Sequence, residues 1–162
     1  MTLDIQHRQE FSNFHPHAEI IVDKIIPLIT VLPTAGVFVA VTGWGLSRSS
    51  VDSRIDVNIV TGDITVDERG FGVYQIQNNC SFFSSKANVV ATASIFLNGV
   101  RRPNLSWTES IQTPNEIANV GFSQILQVDT GDVISFRMAT DANNVTISLV
   151  DGALSAYWLS GE

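Results

Sequence analysis

Ile64-Thr-Val-Asp-Glu-Arg-Gly-Phe-Gly-Val-Tyr74 is the stretch whose reading decides the fold. Two short apolar runs flank Arg69-Gly70, which carries a turn signal. Glycine there and at Gly72 admits backbone conformations that a side chain forbids. Outward from this point the hydrophobic period is two. Ile55-Asp-Val57-Asn-Ile59 alternates cleanly, and so does Val145-Thr-Ile147-Ser-Leu149. Ile134, Phe136 and Met138 share one strand face, with Val133, Ser135 and Arg137 on the other. Along Val89–Asn98 one face reads Val89, Ala91, Ala93, Ile95, Leu97 and the other, semi-apolar face Val90, Thr92, Ser94, Phe96. Turn signals separate the runs at Thr61-Gly-Asp63, Asn98-Gly99, Thr130-Gly-Asp132, Asp141–Asn144 and Asp151-Gly152. No long stretch has helical periodicity. About eight to ten short strands at this spacing predict an all-β sandwich or jelly roll. An immunoglobulin-like sandwich is the competitor, since Trp44, Trp107 and Trp158 each imitate its core tryptophan.

Composition narrows the function classes. The chain has 162 residues, one domain's worth, with 44% hydrophobic and only 15% charged residues. Its polar positions are instead rich in Ser, Thr, Asn and Gln, a surface that suits a subunit burying part of its flank in an oligomer. A formal net charge of −7 weighs against nucleic acid as a partner and against anionic membranes. Cys80 stands alone, so no intrachain disulfide framework is expected. The start, Met1–Glu10, lacks the apolar core of a signal peptide, and Asp23, Lys24, Pro27 and Pro33 interrupt Ile20–Val41 as a membrane span. The expectation is folding in a reducing cytoplasm.

Two segments are distinguished. Residues 1–34 read as an extended anchoring arm: the first part is polar and holds His7, His15 and His17, and Pro27 and Pro33 confine the second part to edge or wrapping roles. Phe11, Phe14, Ile20 and Ile21 are its candidate anchoring residues. Residues 35–162 form the expected jelly-roll domain. On this division, deleting residues 1–34 is expected to leave a folded oligomer that no longer attaches to a larger body.

Several motifs in chain order resemble the second half of the jelly roll shared by the tumour necrosis factor and complement C1q-like families. Gly72-Val-Tyr74 matches a strand opened by Gly-x-Tyr after a tight glycine turn, with Cys80–Phe83 following. Asn98-Gly99 matches a hairpin after an apolar strand, and Leu126, Val128, Gly131 and Asp132 match a strand followed by Gly-Asp. Ser155-Ala-Tyr-Trp-Leu159 is similar to the closing strand. The resemblance spans roughly Val37–Leu159 and implies a homotrimer without enzymatic activity. It makes Tyr74, Phe96, Tyr157 and Trp158 candidates for the subunit interface, where an aromatic ring offers an apolar body and, in Tyr and Trp, a polar tip.

Candidate chemistry is sparse. All three histidines lie ahead of the domain, so a Ser/His/Asp nucleophilic site has no scaffold. Asp67-Glu68 and Asp129/Asp132 lie beside turn glycines, where carboxylates cap the chain more often than they act as a glycosidase pair. His15-Pro-His17 as a metal site on a three-fold axis, and Asp141, Asn143, Asn144 and Asp151 as calcium ligands, are each outweighed by arm and turn readings. Cys80 reads as a small buried hydrophobe. No catalytic residue, metal or cofactor is expected. The function expected is structural: a bacteriophage head decoration or head-fibre protein on the virion surface, docked on the major capsid protein or another virion component. A receptor- or glycan-binding adhesin of a tail-fibre tip, spore or cell surface is the alternative.

Overall fold

Alternation becomes strand wherever turn residues bracket it. In the computed structural model, which describes residues 17–22, 25–49 and 54–160, the described residues form twelve strands and no helix. They are β1 (His17–Ile21), β2 (Leu28–Leu32), β3 (Val39–Ala40), β4 (Leu46–Ser49), β5 (Ile55–Asn58) and β6 (Asp63–Val66). Then come β7 (Gly72–Ser84), β8 (Val89–Leu97), β9 (Val100–Ile111), β10 (Ala118–Val128), β11 (Val133–Thr140) and β12 (Val145–Ser160). Asn98 and Gly99, between β8 and β9, have φ of 52° and 76°, the successive left-handed residues that a tight hairpin requires.

Two antiparallel sheets result. The first runs β10-β7-β12-β1-β4, with β2 also paired to β12; the second runs β5-β6-β11-β8-β9, with β3 paired to β11. Neighbours far apart in sequence lie side by side, β7 between β10 and β12 and β8 beside β11, as the crossing connections of a jelly roll demand. The 16-residue β12 serves two partners in turn, β2 along Val145–Leu149 and β1 along Ala153–Tyr157.

Between the sheets lies one apolar core. Tyr74, Ile76 and Phe82 from the first sheet meet Ile95, Ile134 and Phe136 from the second, all with no exposure. Trp44 closes one flank, packed edge-on to Phe136 with its indole N–H on the Val41 carbonyl at 2.9 Å. Each such side chain contributes about 1.5–3 kcal/mol by leaving water.

The turns after β6, β8 and β10 are tied together at one end. Asn98 donates from Nδ2 to Asp132 Oδ1 (2.6 Å) and accepts the Val133 N–H (2.9 Å). Asp132 Oδ2 accepts the Asp129 N–H, and Gly131, at φ 83°, donates its N–H to the Val66 carbonyl. Asn98, Gly99, Gly131 and Asp132 are therefore a structural clasp, with the Asp132 carboxylate spent on backbone and amide donors.

The boundary expected at residue 34 falls between β2 and β3. β1 and β2 belong to the first sheet, and Ile20 and Leu32 are fully buried in the core. The prolines confined Leu28–Leu32 to an edge, and that edge is the sheet's own. Of the anchoring candidates, Ile20 is buried in the core and Ile21 is half-buried on the outer side. Phe11 and Phe14 lie outside the described residues.

Candidate functional site

The outer face of the first sheet is the candidate site. Strand alternation builds it. β7 turns Tyr74, Ile76, Cys80 and Phe82 inward, which leaves Gln75, Gln77, Asn79 and Ser81 on the outside. The register sets these against β10 on one flank and β12 on the other. One row reads Ser123–Gln77–Ser155–Glu19, and the next reads Gly121–Asn79–Ala153–Ile21. The face is thus made of small, uncharged polar residues, with Glu19 and Asp151 as its carboxylates.

A bulge hollows its centre. The β12–β7 register shifts between Leu149 and Asp151, and Gly152 adopts φ of 136°. A methyl at Gly152 runs into the Asn79 carbonyl and Cys80 Cα, so the two backbones approach as only glycine permits. The resulting depression, about 340 Å³, is lined by Glu19, Gln77, Asn79, Ser81, Ala153 and Tyr157 among others. Its polar groups are held in place: Ser155 donates to Glu19 (3.0 Å), Gln75 to Ser123 (3.0 Å) and Ser81 to Asn119 (2.6 Å). His17 stacks on Tyr157 with centroids 6.0 Å apart. Exposed apolar side chains rim the sheet, with Ile125 and Leu159 towards one end and Ile29 and Val31 on β2.

Of the four aromatic interface candidates, only Tyr157 stands on this face. Tyr74 points into the core, and its hydroxyl donates to the Gly70 carbonyl at 2.6 Å. Burial pushes its phenol up to about 12, against a smaller opposing pull from Arg54. Its polar tip is satisfied by the turn. Phe96 belongs to the outer face of the other sheet, 7% exposed beneath Arg137. Trp158 packs against the core, with the Arg54 guanidinium 5.0 Å from its ring. Gln77, Asn79, Ser81 and Ala153 were not singled out from the sequence. Their signal was the charge-free outward series of β7.

Among the described residues, Cys80 and the acidic turn residues are each engaged in packing or turn contacts. Burial pushes the Cys80 thiol up to about 12, and Asn78 Oδ1 accepts its hydrogen at 3.6 Å. Asp141 accepts the Val90 N–H, and Asn143 accepts the Ala35 N–H, so both serve the turns. Asp67 Oδ1 accepts the Glu68 N–H. Among the described residues no three His, Cys, Asp or Glu groups are placed to hold a metal ion. No helix among them is long and apolar enough to cross a membrane.

The strand order and the two-sheet stack define an antiparallel jelly roll of the kind found in TNF and C1q-like domains. No family model matches the sequence, and no curated protein sequence matches it. Among solved structures, an Eiger TNF from S. frugiperda superposes with a TM-score of 0.63 at 14% identity, covering 91% of this chain and 94% of that one. Murine APRIL at pH 5.0 gives 0.60 at 15% identity, covering 90% and 99%. The globular domain of a zebrafish complement 1qA protein gives 0.55 at 15% identity, covering 91% and 99%.

Proposed function

We propose that this chain is a non-catalytic binding or structural module that assembles as a homotrimer through the outer face of its first sheet. The observation that carries this reading is the character of that face. Its centre is hollowed and built mostly of uncharged side chains beside the Glu19 and Asp151 carboxylates, its rim exposes Ile29, Val31, Ile125 and Leu159, and several of its hydroxyl and amide groups are already fixed in pairs. Paired polar side chains of this kind lose little side-chain entropy when a neighbour covers them. The similarity of fold to TNF and C1q-like domains supports the same reading.

The finer proposal is a bacteriophage head decoration or head-fibre protein on the virion surface. A closed trimer matches the local three-fold sites of a capsid, and three docking segments multiply weak contacts. In this reading the docking segment is the expected N-terminal arm, and its part ahead of β1, residues 1–16, is the part put to the test. The alternative, a glycan-binding adhesin, is favoured by a cationic, aromatic cluster on the opposite sheet.

Light scattering at micromolar concentration is expected to give three times the chain mass. Ala153→Arg, which fills the hollow with a long cationic side chain, is expected to give a folded monomer. A wild-type monomer, or an undisturbed trimer in that variant, overturns the assembly reading. Deleting residues 1–16 is expected to spare the trimer and abolish attachment to capsids, and binding to cells in place of capsids favours the adhesin.

A further inference from the structure

The outer face of the second sheet carries a feature that trimer assembly leaves unused. Phe96 on β8 lies opposite Arg101 of β9 and Ser135 of β11, and Ser94 lies opposite Ser106 and Arg137. The Arg137 guanidinium sits 4.5 Å from the Phe96 ring centroid. Phe96 is tilted against Phe38 at 5.3 Å, and the Arg101 guanidinium lies 4.6 Å from Phe38. Two cations thus flank two rings.

Buried hydroxyls orient both cations. Arg101 Nε donates to Ser94 Oγ and Ser106 Oγ, each at 3.3 Å, and Arg137 Nε donates to Ser135 Oγ at 3.3 Å. Ser94 is fully buried and Ser135 is 3% exposed. These bonds occupy the Nε donors and leave the Nη donors, and neither guanidinium has a carboxylate partner among the described residues. Asp63, opposite Ser135 on the next strand, is the carboxylate closest in register. The chain has a net charge of −7, yet no carboxylate among the described residues pairs with either cation. Stacked, hydrogen-bonded guanidinium groups keep their fork geometry and suit bidentate capture of a carboxylate.

We infer that this cluster is a binding site for a carboxylate-bearing oligosaccharide, with Arg101 and Arg137 gripping its acid groups. Hydroxyls continue the row beside the arginines: Thr92 and Thr108 face each other at 3.3 Å, next to the Ser94–Ser106 pair. Sugar hydroxyls match such a ladder. β8 is paired on both sides, by β11 and β9, so no strand edge is open at Phe96 and Ser94 in the centre of the site, although β9 itself ends the sheet. The acidic net charge of the chain selects ligands with isolated acid groups over dense polyanions.

The test is calorimetric titration of the full chain with tetragalacturonic acid, with a neutral galactose tetrasaccharide and a glutamate-rich peptide as comparison probes. Saturable binding of the acidic sugar alone is expected, weakening as salt rises. Arg101→Gln and Arg137→Gln are each expected to weaken it roughly tenfold, the loss of a charge-assisted hydrogen bond. Arg137→Lys keeps the charge but not the fork, and is expected to weaken binding as well. Light scattering and thermal unfolding of each variant separate this site from trimer assembly, which uses the opposite sheet. Absence of wild-type binding, equal binding of the neutral sugar, or indifference to all three substitutions overturns the proposal. Preference for the peptide also overturns it in favour of an acidic protein partner. Arginines that merely shield Phe38 and Phe96 lower the melting temperature when replaced, with no sugar bound by the wild type.

Discussion

Removing one oxygen atom from Tyr74 separates the core reading of this residue from the interface reading. Tyr74→Phe keeps the ring, so the packing against Ile76 and Phe82 survives without a sizeable cavity. It deletes the 2.6 Å hydrogen bond to the Gly70 carbonyl, and Gly70 is itself buried. That carbonyl then lacks its donor away from water, which costs about 1–3 kcal/mol. For a chain of this length, a central value of about 2 kcal/mol lowers the melting temperature by roughly 4–8 °C. Tyr74→Ala adds a cavity and costs about 3–5 kcal/mol in total for the lost ring. Urea unfolding at one fixed protein concentration measures the loss, since the stability of an oligomer depends on concentration. Light scattering on the folded protein is expected to be unchanged. A Tyr74→Phe variant with wild-type stability that falls apart into monomers refutes the reasoning and returns Tyr74 to a subunit seam.

Two further outcomes follow from the same geometry. Gly152→Ala meets the Asn79 carbonyl and Cys80 Cα at a φ of 136°, and is expected to cost about 2–4 kcal/mol in thermal unfolding; a change within 0.5 kcal/mol would show that β12 relaxes past its bulge at no cost. Stability is expected to hold below about pH 9 and decline above it, because Cys80 and Tyr74 are raised to about 12 from ordinary values of 9.0 and 10.0. In that window the unfolded chain has released protons that the native chain retains, so each group removes about 1.4 kcal/mol per pH unit until its folded value is reached. Cys80→Ala is expected to shallow the decline measured by urea midpoints from pH 8 to 11; an identical slope would place the loss elsewhere.

Much of the architecture was legible because turns are local. Asn98-Gly99 and Gly131-Asp132 announced their bends through residue types that tolerate left-handed backbone or cap it, and both occur as turns in the fold. The role of residues 17–34 was not legible. Proline spacing identified an edge strand at Leu28–Leu32, but an edge strand of the domain and a strand of a separate arm carry the same pattern. Only the pairing of β1 and β2 with β12 distinguishes them. The candidate face escaped for a related reason. Gln77, Asn79 and Ser81 are unremarkable one by one, and they become a surface only when Ser123, Ser155 and Glu19 arrive from distant strands.

The sequence by itself determined the period-two strands, the positions of the turns and the sheet-on-sheet class, because each depends on residues within a few positions of one another. Tertiary structure decided which side of each strand meets the core. Alternation says that Tyr74 and Gln75 face opposite ways, yet a semi-apolar strand leaves open which of them goes inside. The Gly70 carbonyl settles Tyr74 inward, and the β12 bulge at Gly152 shapes what is left outside. Arg101 and Arg137 illustrate the same limit, since no local pattern joins them. Their shared ring stack exists because β8 lies between β9 and β11, a long-range pairing whose entropy is recovered only when the whole sandwich closes.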